Sequence, residues 1–178
     1  MRTRRYYHHT RKDTFTNTKH INPQRLIKHM QNENVIRILI ESLREKTQHH
    51  PDDSVSWYNL GVAHDMIGEA EASIAYYRIA IKHDPKYVLP RFNLGCTLLK
   101  MGAAQEALDE FLALTKVAPN VADGFFMLGA TYGALDQTEK LIEATEAGLK
   151  LEPDSVRAQH NLDIAYNRLR EFEDGTDS

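Results

Sequence analysis

Apolar residues fall at helical spacing through most of the chain, and they do so in blocks. Within 54–66, Val55, Tyr58, Val62 and Met66 lie three or four positions apart, and Asp53 or Ser54 is placed to cap the segment. Gly68 interrupts it. A second block, from about Ala70 to Lys82, sets Ile74, Tyr77, Ile81 and the small Ala80 on one side of a helix. Pro85 ends that helix, because proline has no N–H to donate and keeps the residue before it out of the α region. The same reading predicts helices near 88–100, 104–117, 122–135, 138–151 and 155–170.

These blocks repeat with one period. Leu60-Gly61 recurs as Leu94-Gly95 and Leu128-Gly129, a constant step of 34. Pro85 recurs as Pro119 and Pro153, with Pro51 one step earlier; Tyr77 is matched by Phe111, and Gly68 by Gly102. The step defines units of two helices. Glycine without a Cβ lets the second helix approach the first, leucine fills the seam, and Tyr77 or Phe111 is the wedge against the next unit. An isolated pair cannot bury both faces, so stability comes from stacking neighbours.

Trp57, Leu60-Gly61, Tyr77, Ala80 and Pro85 in the first unit resemble the tetratricopeptide-repeat pattern, with His64 where that family prefers an aromatic residue. The second unit matches at Leu94-Gly95, Ala107, Phe111 and Pro119, with Arg91 replacing the tryptophan. The third matches at Phe125, Leu128-Gly129, Tyr132 and Pro153, but Thr145 replaces the wedge and weakens the seam there. The resemblance implies an all-α fold, an α-solenoid of antiparallel helix pairs with three full repeats (54–87, 88–121, 122–155) spanning 54–153. Residues 155–170 keep the first-helix register with Leu162 and Tyr166, carry Asp163 for glycine, and read as a capping helix. Upstream, Asn22-Pro23 is a helix start, and Leu26, Leu39, Leu43 and Pro51 keep the register. Residues 21–53 therefore read as a degenerate helix pair, loosened by Ile27 and Lys46; an unrelated pair of helices is the alternative.

In this family the first helix of each unit lines a concave groove. The resemblance places Tyr58, Phe92, Phe126 and His160 in one inward column, 34 apart. Val62, Cys96, Ala130 and Ile164 form a small apolar floor, and Asn59, Asn93, Met127 and Asn161 run beside them. Asparagine offers a donor and an acceptor to the amides of an extended peptide. The expected ligand is thus a hydrophobic or aromatic peptide segment of another protein; the rival reading of the aromatic column is packing alone. Members that clamp the acidic tails of heat-shock chaperones do so with lysine, asparagine and arginine. At the matching places this chain has Tyr58, Val62, Asn93, Asp123 and Met127, and only Asn93 agrees. Lys100, Arg157 and Arg168 are the candidate contacts for a single carboxylate, against a reading as solvated helix face.

Charge divides the chain unevenly. Residues 1–20 hold six Lys/Arg against Asp13 alone, so the remainder carries an acidic excess of eight. That basic segment is expected to be a disordered tail; contact with nucleic acid or an anionic membrane is its rival reading. Residues 171–178 read as an acidic tail. No apolar run is long enough to span a bilayer, a secretory signal is missing, and a cytoplasmic location is expected. The lone Cys96 excludes an internal disulfide framework. No Walker loop, dinucleotide fingerprint, nucleophile elbow or His-Glu-x-x-His is present. Neighbouring residues on a helix diverge, so His8-His9 and His49-His50 are poor metal pairs. No catalysis, no cofactor and no metal are expected. The function implied is a non-catalytic adaptor or scaffold, with self-assembly through the loose end units as a further alternative.

Overall fold

The computed structural model describes residues 33–176, apart from the side chains of 157, 168 and 171–176. Among these residues the chain is entirely helical: α1 (Glu33–His49), α2 (Ser54–Met66), α3 (Ala70–His83), α4 (Val88–Lys100), α5 (Ala104–Val117), α6 (Ala122–Ala134), α7 (Thr138–Leu151) and α8 (Val156–Thr176). The chain thus forms an all-α helical repeat. Each helix packs on the next, and α2 also touches α4, as α4 touches α6. Residues 1–32 and 177–178, with the basic segment and the predicted start at Asn22-Pro23, lie outside the described residues.

Two kinds of turn alternate, and each is the same turn every 34 residues. After α2, α4 and α6 the backbone turns through the left-handed region, at Gly68 and Gly102 (both φ 78°) and at Asp136 (φ 55°). There the amides of Glu69, Ala103 and Gln137 donate back to the carbonyls of His64, Leu98 and Tyr132 at 2.9–3.0 Å, which satisfies carbonyls the helix end would leave bare. The other turn follows α1, α3, α5 and α7. The amides of Asp53, Tyr87, Val121 and Ser155 donate to His50, Asp84, Ala118 and Glu152 at 3.0–3.3 Å. α1 therefore enters the array through the same turn as every later second helix. Asp53 caps α2, accepting from the Val55 amide at 3.1 Å and the Ser56 hydroxyl at 2.6 Å.

A side chain from the following helix closes the second kind of turn at both ends of the array. Trp57 Nε1 donates to the Pro51 carbonyl at 2.6 Å, and Gln159 Nε2, three periods on, donates to the Pro153 carbonyl at 2.6 Å. Arg91, in the same column, instead pairs with Glu110 at 2.7 Å across α4 and α5.

The wedges are where the spacing puts them. Tyr77 and Phe111 are fully buried, and a methyl group at Gly61 or Gly95 would meet their rings at 2.5 or 2.6 Å. Around them Leu94, Leu98, Ala107, Leu114 and Leu128 make one continuous core. A smaller cluster docks α1: Ile36, Leu39, Ile40 and Leu43 pack on Leu60 and Ala63, flanked by Trp57, Ile67 and Tyr76. His64 is buried in this seam, stacked on Tyr76 at 5.0 Å, with Nδ1 2.6 Å from Glu69.

The third unit departs from this scheme. Thr145 occupies the wedge position, and its hydroxyl turns back to donate to the Leu141 carbonyl at 2.7 Å. Phe126 fills in from the other side: its ring lies so close over Gly148 that a methyl group there would overlap it. α8 also runs to Thr176, six residues past the predicted end at 170, because no proline or capping residue halts it there.

Candidate peptide-binding surface

The first helices α2, α4, α6 and α8 carry two clefts. The first, of 470 Å³, is lined by Val62, Asp65, Tyr77, Asn93, Cys96 and Thr97, with Met66 and Lys100 at its edge. The second, of 420 Å³, includes Ala130, Gly133, Thr145, Asn161, Ile164 and Ala165. Those two sets of six are the same six positions, displaced by two periods. The clefts are therefore one site of the repeat, seen twice with different side chains.

The first copy is shallow, and Asp65, Asn93, Thr97 and Lys100 are its polar residues. Tyr77 fills its base, and burial, reinforced by nearby Asp65, holds that phenol well above its ordinary pKa. Asp65 faces Lys100 at 3.6 Å, while the Thr97 hydroxyl lies 3.5 Å from Asp65 and donates to the Asn93 carbonyl at 3.0 Å. Cys96 lies on the wall, and burial pushes its thiol up to about 11. A thiol so placed is a poor nucleophile at neutral pH, since the thiolate is the reactive form. The second copy adds Phe126, Met127, Leu141 and Ala158, and Asp136 is the one ionisable side chain among its described lining residues.

Of the predicted groove residues, Val62, Asn93, Cys96, Phe126, Met127 and Asn161 line these clefts. Tyr58 and Asn59 do not form an open shelf: they are 5% and 8% exposed. The Tyr58 ring is taken up by Tyr87, edge-on at 5.3 Å, and its hydroxyl accepts from Asn93 Nδ2 at 3.3 Å. Phe92 is half-buried with its ring against Phe111 at 6.1 Å, so it packs the core as well. His160 is exposed and lines neither cleft. Lys100 is exposed at the edge of the first cleft, 3.6 Å from Asp65. The side chains of Arg157 and Arg168 lie outside the described residues.

Asp65, Thr97, Gly133 and Thr145 escaped the sequence reading as groove residues. Their signal was available: 65 and 133 are two periods apart and sit one helical turn beyond the apolar floor at 62 and 130. Among the described residues no group of three His, Cys, Asp or Glu is arranged to hold a metal, and no helix is long and apolar enough to cross a membrane.

The family model of the tetratricopeptide repeat matches residues 55–87. The solved structure of MamA from Desulfovibrio magneticus RS-1 superposes with a TM-score of 0.73 at 22% identity, covering 87% of this chain and 85% of that one. The chain is a tetratricopeptide-repeat protein. This tetratricopeptide array is 34% identical over 128 residues to the Protein CTR9 homolog of Arabidopsis thaliana, covering 67% of this chain and 12% of that protein. The Hsp70-Hsp90 organizing protein of Triticum aestivum is 29% identical over 83 residues, 47% of this chain and 14% of that protein. The chain thus spans about an eighth of the length of these relatives. The first repeat domain of Spaghetti (RPAP3), solved with the HSP90 peptide SRMEEVD, superposes at a TM-score of 0.63 with 18% identity, covering 66% of this chain and 93% of that one.

Proposed function

We propose that the chain is a protein-interaction adaptor that receives a peptide segment of a partner along the inner face of α2, α4, α6 and α8. The recurrence of one cleft at the same six positions, two periods apart, carries this reading. A periodic surface offers an extended chain the same contacts at regular intervals. Asn93 and Asn161 present amide groups in corresponding places to pair with a peptide backbone. The array is stiff before the ligand arrives, so one partner pays little ordering entropy. That a repeat domain of similar fold was solved with a bound peptide supports the mode of use.

The ligand differs from an acidic chaperone tail. At the clamp places Tyr58 and Val62 are buried, Asp123 is acidic, Met127 is uncharged, and only Asn93 matches. Such a site repels a carboxylate-rich tail more than it holds one.

A random-peptide display selection against the full chain, followed by fluorescence anisotropy of the selected peptides, tests the reading. Met66→Glu and Ala130→Glu place a charge at an exposed position in each cleft. Each is expected to weaken binding about tenfold or more, the equivalent of ~1.4 kcal/mol. Ala75→Glu, on the exposed side of α3, is expected to leave it unchanged. Equal affinity across all three variants would place recognition elsewhere.

A further inference from the structure

One continuous core runs through α2–α7, from Tyr58 to Ala144, and no described residue of α8 belongs to it. The side chains at the seams account for this. Tyr77 lines the first cleft beside Asn93, Cys96 and Thr97 of α4, so its ring ties α3 to the helix that follows. Thr145 holds that position before α8, and its hydroxyl is turned back onto the Leu141 carbonyl at 2.7 Å. On the other side of the seam, α4 buries Pro90, Leu94, Thr97 and Leu98. The same four positions of α8 are Ala158, Leu162, Ala165 and Tyr166. Only the two alanines are buried there; Leu162 is half-buried and Tyr166 is 42% exposed. Among the described residues one side-chain hydrogen bond joins α8 to α7, from the Tyr166 hydroxyl to Glu146 at 2.6 Å, and it faces solvent. Two alanines, half-covered leucines at 162 and 169 and one exposed hydrogen bond hold a helix less firmly than the buried leucines of α4. Local opening is favoured where few apolar groups are buried.

This loosely held helix is also a wall of the second cleft, through Ala158, Asn161, Ile164 and Ala165. From that combination, and resting on the inner-face reading above, we infer that α8 is a gate on the groove. It undocks from α7 as a unit while α1–α7 stay folded. Opening takes the second cleft apart and leaves the first intact, since the first is lined from α2, α3 and α4 alone. A partner peptide seated against the α8 wall holds the gate shut. The stiffness of the groove thus belongs to α2–α7, and its last subsite is completed only on closure. A ligand that binds the closed state alone stabilises that state in proportion to its occupancy.

Amide hydrogen exchange of the full chain, read by mass spectrometry of peptic fragments, tests the gate. Without ligand, fragments from α8 should exchange as one unit, about a hundredfold or more faster than those of α4 and α5. They should also exchange faster than α1, which has an apolar cluster of its own at the opposite end of the array. Tyr166→Phe removes the hydrogen bond to Glu146 at a residue outside the cleft. It should speed α8 exchange about fivefold and leave α4 and α5 unchanged. The ligand is a display-selected peptide that loses affinity in Ala130→Glu. At a hundred times its dissociation constant it should slow α8 exchange about a hundredfold and leave α1 as it was. The inference is overturned if α8 exchanges no faster than α1 or α4, if the effect of Tyr166→Phe is absent or spreads through the array, or if the bound peptide leaves α8 unchanged. In that last case the loss of affinity in Ala130→Glu keeps the groove and removes only its gate. Selected peptides that depend on Met66 alone leave the second cleft unused and overturn the gate as well. Indifference to both glutamate variants removes the groove and the gate's ligand with it, while exchange in the free chain still reports whether α8 opens.

Discussion

Phe111→Ala and Thr145→Ala remove the side chain from the same register position of successive units, yet their costs should differ several-fold. Phe111 is fully buried and stands edge-on to Phe92 at 6.1 Å. Truncation deletes the whole ring from a packed seam, which costs about 3–5 kcal/mol for buried aromatic residues. Thr145 is buried too, but its hydroxyl is satisfied within its own helix at 2.7 Å and its methyl borders an existing cleft. Losing that hydrogen bond costs about 1 kcal/mol, and alanine's better helix propensity returns up to ~0.7 kcal/mol. The net cost at 145 is therefore under about 1 kcal/mol. Urea slopes for small proteins are roughly 1–3 kcal/mol/M, so Phe111→Ala should lower the midpoint by at least about 1 M, and Thr145→Ala by no more than about a third as much at the same slope. Far-ultraviolet circular dichroism follows the whole array, and the lone Trp57 follows the α1–α2 seam. In a solenoid coupled only through neighbours, the two signals of Phe111→Ala should separate. Midpoints for the two variants that agree within experimental error would refute the wedge argument.

Gly102→Ala has open space around the new methyl group, so its cost is backbone strain at φ 78° alone, about 1–2 kcal/mol; a thermal melt matching wild type would contradict that. The His64 imidazole N–H, donated to Glu69, holds that carboxyl below its ordinary 4.5, and Arg37 adds to the effect. A depressed carboxyl pKa stabilises the fold above the unfolded value, and the contribution fades as pH falls below 4.5 through the lowered value. The acid-induced fall in Trp57-detected stability should accordingly be shallower in Glu69→Gln, and parallel curves would speak against the pair. With its thiol raised to about 11, Cys96 should be roughly a thousandth ionised at pH 8. Its reaction with a thiol-reactive disulfide reagent should be slow when folded and accelerate in urea; a rate like that of free cysteine would rule out the burial described.

The period was legible because the features that keep it are backbone requirements. Gly68 and Gly102 answer to a left-handed turn, Gly61 and Gly95 to the rings laid across them. Proline and the Asp53 cap fix the helix ends to within a residue or two. The groove was only half legible, for a reason that is equally physical. Tyr58 shares a column with Phe126, but its ring is claimed by Tyr87, a residue in the turn before α4 that belongs to no repeat motif. Asn59 is buried as well, which its place in the repeat does not foretell. Thr145 was recognisable as a lost wedge; that Phe126 would lean onto Gly148 instead, leaving the opening toward α8, depends on tertiary packing. The extension of α8 to Thr176 was missed because helix ends without caps leave little trace in a sequence.

The turn closed by Trp57 on the Pro51 carbonyl is closed again by Gln159 on the Pro153 carbonyl, at the same length. An indole and a primary amide have little in common beyond an N–H held at the right reach. In the two middle units the same position holds Arg91, which turns to Glu110, and Phe125, which has no donor, so this closure marks the first and last turns between units. The family model recognises 55–87, the unit that has kept the tryptophan, while the array itself continues through α8. Counting repeats by their backbone turns, which recur in every unit of this chain, finds solenoid where counting by signature residues finds one unit.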